Sequence, residues 1–369
     1  MKKVKGLLIG LGLGLVLSTP IKVEAFNGEC GVLIEQVTGR VLYEKCAQEQ
    51  KYIASITKIM TAIVAIEEGK LDEWVEISEN ATLQVGSSLY MKQGDQLKLI
   101  DLVYGLMLRS GNDAAMAIAE HIAGSEEAFV NLMNDKAKAL GLENTIFQNP
   151  SGLDETTFNL SSAYDMAKIQ QYAMNNPIFR EVAGSDVHQA TSHNENTYVW
   201  HNKHKLVTGL YEDAIAGKTG FTKKAHRTLV TSAARDGLEL VAVSLNDGDD
   251  WNDHKNLFEH GFNQYELKQV VYEGELSLNN PQVKETLYVK EGSYIALKKD
   301  GTDVVETELI LTNDHPETPN HEAGTLKVKL NGEVVDEVEV FKIIDVKEED
   351  NSSWFDKVFG WLFGVGKVV

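Results

Sequence analysis

Along residues 52–70, YIASITKIMTAIVAIEEGK, apolar side chains fill most positions from Ile59 to Ile66 before two glutamates and a glycine end the run. A stretch of that length, apolar on all sides, predicts a helix buried in a core. Ser55 is a residue type that starts helices and Gly69 one that stops them, so Ser55 is expected at the N-cap. DLVYGLMLRSGNDAAMAIAEHIAG, residues 101–124, predicts more helix, interrupted at Ser110-Gly111-Asn112. SEEAFVNLMNDKAKALG predicts an amphipathic helix from an N-cap at Ser125 to a stop at Gly141.

Elsewhere the period is two. RTLVTSAARDGLELVAVSLND predicts two strands joined at Asp236-Gly237. GVLIEQVTGRVLYEK predicts a hairpin turning at Val37-Thr38-Gly39, with Gln36 facing Arg40 and, counted outward, residue 30 facing residue 46. After about Lys268 the pattern changes to short alternating segments, TLYVKEG, TELILTN, TLKVKLNG and EVEVFKII, parted by Gly, Asn and Asp turns. They predict a small all-β domain, a β-sandwich over residues 268–348, that holds no catalytic constellation.

The two ends carry different signals. Lys2, Lys3 and Lys5 precede an apolar run from Gly6 to Leu17, and Val23 and Ala25 sit where a cleavage site needs small residues. Residues 1–25 are expected to be a secretory signal cut after Ala25, an uncleaved anchor being the alternative. The protein is then exported, and it works at the outer face of the cytoplasmic membrane or is secreted. At the other end, residues 349–369 contain SSWFDKVFGWLFGVGKVV. On a helical wheel Trp354, Phe355, Val358, Trp361, Leu362, Val365 and Val369 share one side. This predicts an amphipathic helix lying on a membrane surface and too short to span it, with docking on the protein itself as the alternative.

Composition narrows the picture. A formal charge of −20, from 55 acidic and 35 basic residues, argues against a nucleic-acid partner. The chain has two cysteines, Cys30 and Cys46, which flank the predicted hairpin. Export permits a disulfide between them, two facing free thiols being the alternative. The ten histidines show no metal-ligand spacing, and those of WHNKH and NKHKL are expected at surface or rim positions. No metal and no cofactor are expected.

Candidate chemistry centres on Ser55 and Lys58. Residues at i and i+3 share a helix face, so Ser55 Oγ and Lys58 Nζ can meet. A serine hydroxyl needs a base to become a nucleophile. A lysine serves only if its pKa falls from ~10.4 towards neutrality, which burial and a second cation both cause. Ser110-Gly111-Asn112 follows Ser55 by 55 residues, and Lys218-Thr219-Gly220 follows Ser110 by 108. Each triplet is common by chance, but all three in this order behind a signal peptide are specific.

In ASITKIMTA, LMLRSGNDAA, NPSGLDE and GKTGFT the chain resembles the serine D-Ala-D-Ala carboxypeptidases, the low-molecular-mass penicillin-binding proteins of peptidase family S11. LNDGDDWNDH looks most like members from endospore-forming bacteria that act in cortex formation. The resemblance implies an α/β (α+β) fold of the serine β-lactamase and penicillin-binding-protein transpeptidase type. Its catalytic domain is expected over residues 26–267, as an antiparallel sheet with helices on both sides. It further implies that Ser55 is acylated, that Lys58 is its base and that Ser110 relays a proton to the leaving amine. Asn112, Lys218, Thr219 and Gly220 are expected to bind substrate, and the backbone N–H groups of Ser55 and Phe221 to form an oxyanion hole. Peptidoglycan stem peptides and β-lactam antibiotics are the implied partners. The rival readings are a class A-like β-lactamase, a murein endopeptidase and a non-catalytic peptidoglycan-binding protein.

Two features depart from the family pattern or mimic another. The glutamate–asparagine pair of Glu155-Thr-Thr-Phe-Asn159 imitates the deacylation motif of class A β-lactamases and is expected to be a chance match. Many relatives place an arginine near the substrate carboxylate, but NDGDDWNDH has none, so carboxylate binding is expected to lean more on Lys218 and Thr219, with Arg227 or His254 as further candidates. Asp247, Asp249, Asp250 and Asp253 are expected to form a solvated acidic loop, with a cation site as the alternative.

Overall fold

The computed structural model describes residues 26–276, 286–312 and 322–342, together with the backbone of Lys3–Gly6. The rest of the predicted signal, residues 1–2 and 7–25, and the whole predicted C-terminal helix lie outside the described residues. Contacts divide the chain into two compact units. One comprises residues 12–268 with Tyr294–Asp303, and the other the remaining C-terminal segments with the first eleven residues.

The first unit is organised by an antiparallel five-stranded sheet: β1 (Cys30–Glu35), β2 (Val41–Lys45), β3 (Ala214–Thr222), β4 (His226–Arg235) and β5 (Leu238–Leu245), in the order β3-β4-β5-β1-β2. Alternation distributes the side chains of each strand to two faces. Val32, Ile34, Val230, Val241, Val243 and Leu245 enter the larger core. Leu33, Ala233, Leu240 and Ala242 enter a second core on the other face. Covered on both sides, β1 is buried at all six positions.

The larger core is filled by helices α1 (Lys58–Glu68), α2 (Leu99–Arg109), α3 (Asn112–Ala123), α4 (Glu126–Ala139), α5 (Ala163–Met174) and α6 (Pro177–Gly184). The second core is closed by Leu257, Phe258 and Phe262 of α7 (Asp250–Gln264). Helix α1 is buried without interruption from Lys58 to Ile66, as an all-apolar helix must be. Gly69 caps its end as expected. Ser55 does not cap its start: it sits inside a 3-10 turn, Ala54–Thr57, that precedes the helix, and it makes no capping bond. Ser125 does cap α4, accepting from Ala128 N at 3.1 Å.

The first hairpin keeps the expected outer register, with Gly31 opposite Lys45, and Cys30 and Cys46 are joined as a disulfide. Near the turn the register slips by one at Leu33/Ile34. Gln36 therefore does not face Arg40. Its N–H goes to Glu239 O, while Glu35 N–H goes to Arg40 O. The buried Glu35 carboxylate drives the slip by collecting the Val37 and Thr38 N–H groups and the Thr38 hydroxyl.

In the second unit, the strands Val305–Leu311, Glu322–Leu330, Glu333–Lys342, Leu287–Val289 and Gly274–Glu275 form one antiparallel sheet with Lys3–Gly6. Asn331 and Gly332, both at positive φ, make the tight turn between its two longest strands.

Candidate active site

The site is assembled where the 3-10 turn, the α2–α3 junction, the loop 149–154 and β3 meet. Ala54 takes a positive φ of 49°, which turns the chain into the Ser55 segment. Gly152, at φ 81°, packs so tightly that an ideal Cβ would stand 1.9 Å from Ala54 O. Only glycine fits there. Gly220 of β3 makes the matching approach from the other side. A Cβ on it would stand 2.3 Å from Thr228 Oγ1, 3.0 Å from Ser55 N and 3.1 Å from Ile56 N. Thr228 donates to Ile53 O at 3.0 Å, Thr222 to Asp154 Oδ2 at 2.5 Å and Lys224 to Asp154 O at 2.5 Å, which tie the sheet to the turn and to the loop.

Lys58 is wholly buried. Its Nζ lies 3.2 Å from Ser55 Oγ, 2.8 Å from Asn112 Oδ1 and 2.5 Å from Ser151 O. Burial drives its pKa well below the usual lysine range, and the nearby cations Lys218 and Lys203 push it the same way against a smaller opposing effect of Asp113. A neutral amine has two hydrogens and one lone pair. Asn112 Oδ1 and Ser151 O can only accept, so they take the hydrogens and leave the lone pair for the Ser55 hydroxyl.

Ser110 ends α2 in the left-handed conformation, φ 65° and ψ 34°, and so breaks the helix before Asn112 starts the next one. Its buried Oγ has no hydrogen-bond partner among the described residues. Asn112 is fixed by Nδ2 donating to Val85 O at 2.6 Å. Lys218 is buried on β3 and donates to Thr219 O at 2.9 Å. Burial, with Lys203 nearby, pulls its pKa down to about 7. The predicted residues Ser55, Lys58 and Asn112 are thus brought into direct contact, and Gly220 places the Lys218-Thr219-Gly220 strand against the backbone nitrogen of Ser55.

Several expectations change. His254 is fully buried, with Nδ1 on Thr231 Oγ1 at 2.9 Å and Nε2 on Ser244 Oγ at 3.1 Å, so it is not free to meet a substrate carboxylate. Arg227 is committed to Asp250, at 2.5 and 3.1 Å. His204 is buried rather than at a rim, and burial lowers its pKa to about 4. Of the acidic loop's aspartates only Asp249 is exposed: Asp247, Asp250 and Asp253 are at most 2% exposed. The Glu155–Asn159 segment agrees with the expected chance match: Glu155 is exposed, and Asn159 binds Thr57 and the backbone of residues 148 and 149. Among the described residues, the three metal-type ligands close enough to share an ion, Cys30, Cys46 and Glu49, have their two sulfurs joined in the disulfide.

Sequence reasoning missed two contributors. The Ser151 carbonyl is a backbone group and carries no side-chain signal. Lys203 reads in the sequence only as part of a surface stretch, yet its charge acts on both buried lysines.

The model of the D-alanyl-D-alanine carboxypeptidase family, Peptidase_S11, matches residues 18–249. The chain belongs to this family. It is 31% identical to D-alanyl-D-alanine carboxypeptidase DacF of Bacillus subtilis, over 91% of this chain and 90% of that one. It is 30% identical to DacC of Escherichia coli, over 93% and 89% respectively. Among solved structures, a point variant of the Streptomyces K15 DD-transpeptidase is 30% identical and superposes with a TM-score of 0.61, covering 65% of this chain and 99% of that one. The carboxypeptidase DacD of Francisella tularensis, at 24% identity and a TM-score of 0.67 over 90% of this chain and 96% of that one, shares the fold. The chain is therefore a serine-type D-Ala-D-Ala carboxypeptidase with a penicillin-binding-protein fold. No helix among the described residues of this carboxypeptidase is long and apolar enough to cross a membrane.

Proposed function

We propose that Ser55 is the residue acylated when the enzyme removes the terminal D-alanine from peptidoglycan stem peptides. The observation that carries the assignment is Lys58, wholly buried, cation-flanked and 3.2 Å from Ser55 Oγ. Ser55 Oγ attacks the carbonyl carbon of the D-Ala-D-Ala bond as its proton passes to Lys58 Nζ. The Ser55 and Phe221 N–H groups hold the developing oxyanion. The proton then travels through Ser110 to the departing D-alanine nitrogen, and water, activated by the same lysine, releases the shortened peptide. Asn112 holds the peptide's amide carbonyl. Lys218 and Thr219 bind the terminal carboxylate, and Gly220 lets the strand come close enough for them to do so.

A β-lactam presents a strained amide to the same serine and acylates it. The exposed Glu155 supports a carboxypeptidase rather than a β-lactamase, because it is not placed to drive fast deacylation. The chain acts outside the cytoplasm after leader removal. Residues 26–267 carry the chemistry, residues 268–348 form a supporting β-sandwich, and residues 349–369 attach the enzyme to the outer membrane surface.

The test is to incubate the purified chain and its Ser55→Ala variant with a D-Ala-D-Ala peptide and with labelled penicillin. Released D-alanine and a long-lived adduct, both absent from the folded variant, are expected. An adduct on the variant would move the nucleophile elsewhere, and rapid penicillin turnover would make the chain a β-lactamase.

A further inference from the structure

Three carboxylates are buried at the start of α7. Asp250 is neutralised by Arg227. Asp253 receives consecutive backbone N–H groups on one oxygen, Asn27 at 2.6 Å and Gly28 at 3.0 Å, with Asn27 Nδ2 on the other at 3.1 Å. Asp247 accepts Asp249 N–H at 3.0 Å through Oδ1. Its Oδ2 is buried and makes no hydrogen bond among the described residues. A Cβ on Gly28 would stand 3.0 Å from Asp247 Cβ, so the tripeptide Phe26–Gly28 lies against both Asp247 and Asp253. Phe26 is itself an anchor. Its side chain is buried in the second core, 5.7 Å between ring centroids from Tyr43, and the Lys45 ammonium stands 5.5 Å from its ring centre. Lys45 gives its hydrogen bond to Gly28 O, at 2.7 Å.

Successive backbone nitrogens that converge on one anion form a nest. The nitrogens of residues 27 and 28 already do so, and that of Phe26 is the next in the series. Covalent geometry holds it within about 3.7 Å of Asn27 N, and hence within about 6 Å of Asp253. In an uncut chain this nitrogen is an uncharged amide. Hydrolysis of the Ala25–Phe26 peptide bond leaves a carboxylate on Ala25 and an amine on Phe26, which takes up a proton at neutral pH.

We propose that Asp247 and Asp253 are the receptor for the α-ammonium group of Phe26, so that removal of the leader completes an ion cluster within the catalytic unit. The inference rests on the reading that the chain is cut after Ala25. Two buried carboxylates repel each other without a counter-charge, and burial together with Asp253 pushes the pKa of Asp247 up to about 6. The new ammonium supplies the counter-charge, and Phe26 locks it in place.

The intact mass of the exported protein establishes its first residue, and a first residue other than Phe26 overturns both the processing reading and the proposal. A full mature chain beginning at Phe26 is then compared with one carrying a Gly-Ser extension, each with and without Asp247→Asn. The Phe26 start is expected to melt about 3 °C higher than the extended one. That difference should vanish in the Asp247→Asn background, with Asp253→Asn as a second check. Equal melting midpoints for the two starts, or a difference unchanged by both substitutions, overturns the proposal while leaving the processing reading intact.

Discussion

Lys58 shows how little chemistry resides in a side chain and how much in its surroundings. Its amine is held by two pure acceptors and one hydroxyl, with the lysine itself wholly buried beneath the half-buried Ser55. Lys58→Arg retains the charge but not the base, because a guanidinium keeps its protons. The acylation rate is expected to fall about 100-fold or more, read as the rate of penicillin adduct formation. The pH profile provides a second check. The active form has Lys58 neutral, so kcat/KM rises as pH passes through the Lys58 pKa. Lys203 is one of the cations that depress this pKa. Lys203→Gln should therefore raise it and move the ascending limb to higher pH, with the plateau reached later. An unmoved limb would mean that Lys203 does not act on the base.

At the scale of elements, the site depends on close backbone approach. The 3-10 turn bearing Ser55 is wedged between Gly152 and Gly220, neither of which leaves room for a methyl group without displacement. The β1–β2 hairpin lies at one edge of the same sheet and is closed by Cys30–Cys46, sixteen positions apart. A loop of that length is worth about 3 kcal/mol when cross-linked, chiefly through the unfolded chain. Replacing both cysteines by serine should lower unfolding stability by about that amount in denaturant titration. Acylation at 25 °C should change little, because the hydrogen bonds that hold Ser55, Lys58 and Asn112 go to one another, to Ser151 O and to Val85 O, and not to the disulfide. A large loss of acylation by the folded variant would place the hairpin in the catalytic machinery.

For the whole molecule, the prediction concerns attachment. Deleting residues 352–369 should release the mature enzyme from membranes and leave its activity on soluble peptide unchanged. The apolar side of that segment carries Trp354, Phe355, Trp361 and Leu362. Each Å² of apolar area that it buries in the interface contributes about 25 cal/mol. Moderate salt should not mimic the deletion, because the proposed attachment would be mainly hydrophobic and the chain's net charge of −20 gives anionic lipid little to attract. Fractionation decides the matter: a tail-less chain that still sediments with membranes is held by some other surface.

Sequence alone determined the elements whose cause is local. The apolar run after Lys58, the breaks at Ser110-Gly111 and Asp236-Gly237, the Ser125 cap and the outer register of the first hairpin all follow from periodicity and turn chemistry. The three triplets proposed to be catalytic were legible as a set because of their order and residue types, and the fold brings Ser55 and Asn112 to Lys58 and the Lys218-Thr219-Gly220 strand to Ser55 N. Tertiary structure decided what depends on partners distant in the chain. Ser55 lies in a strained turn instead of an N-cap because Gly152 and Gly220 press on it from opposite sides. The hairpin slips one residue because buried Glu35 gathers N–H groups that a counting rule cannot see. Of the aspartates after Leu245, read from sequence as a solvated loop, Asp249 is exposed, but Asp250 and Asp253 are buried because Arg227, Asn27 and Gly28 satisfy them from elsewhere in the fold. Lys58 has a depressed pKa only because folding removes its water and brings Lys218 and Lys203 close, and burial and charge proximity are properties of the assembled site that no run of residues encodes.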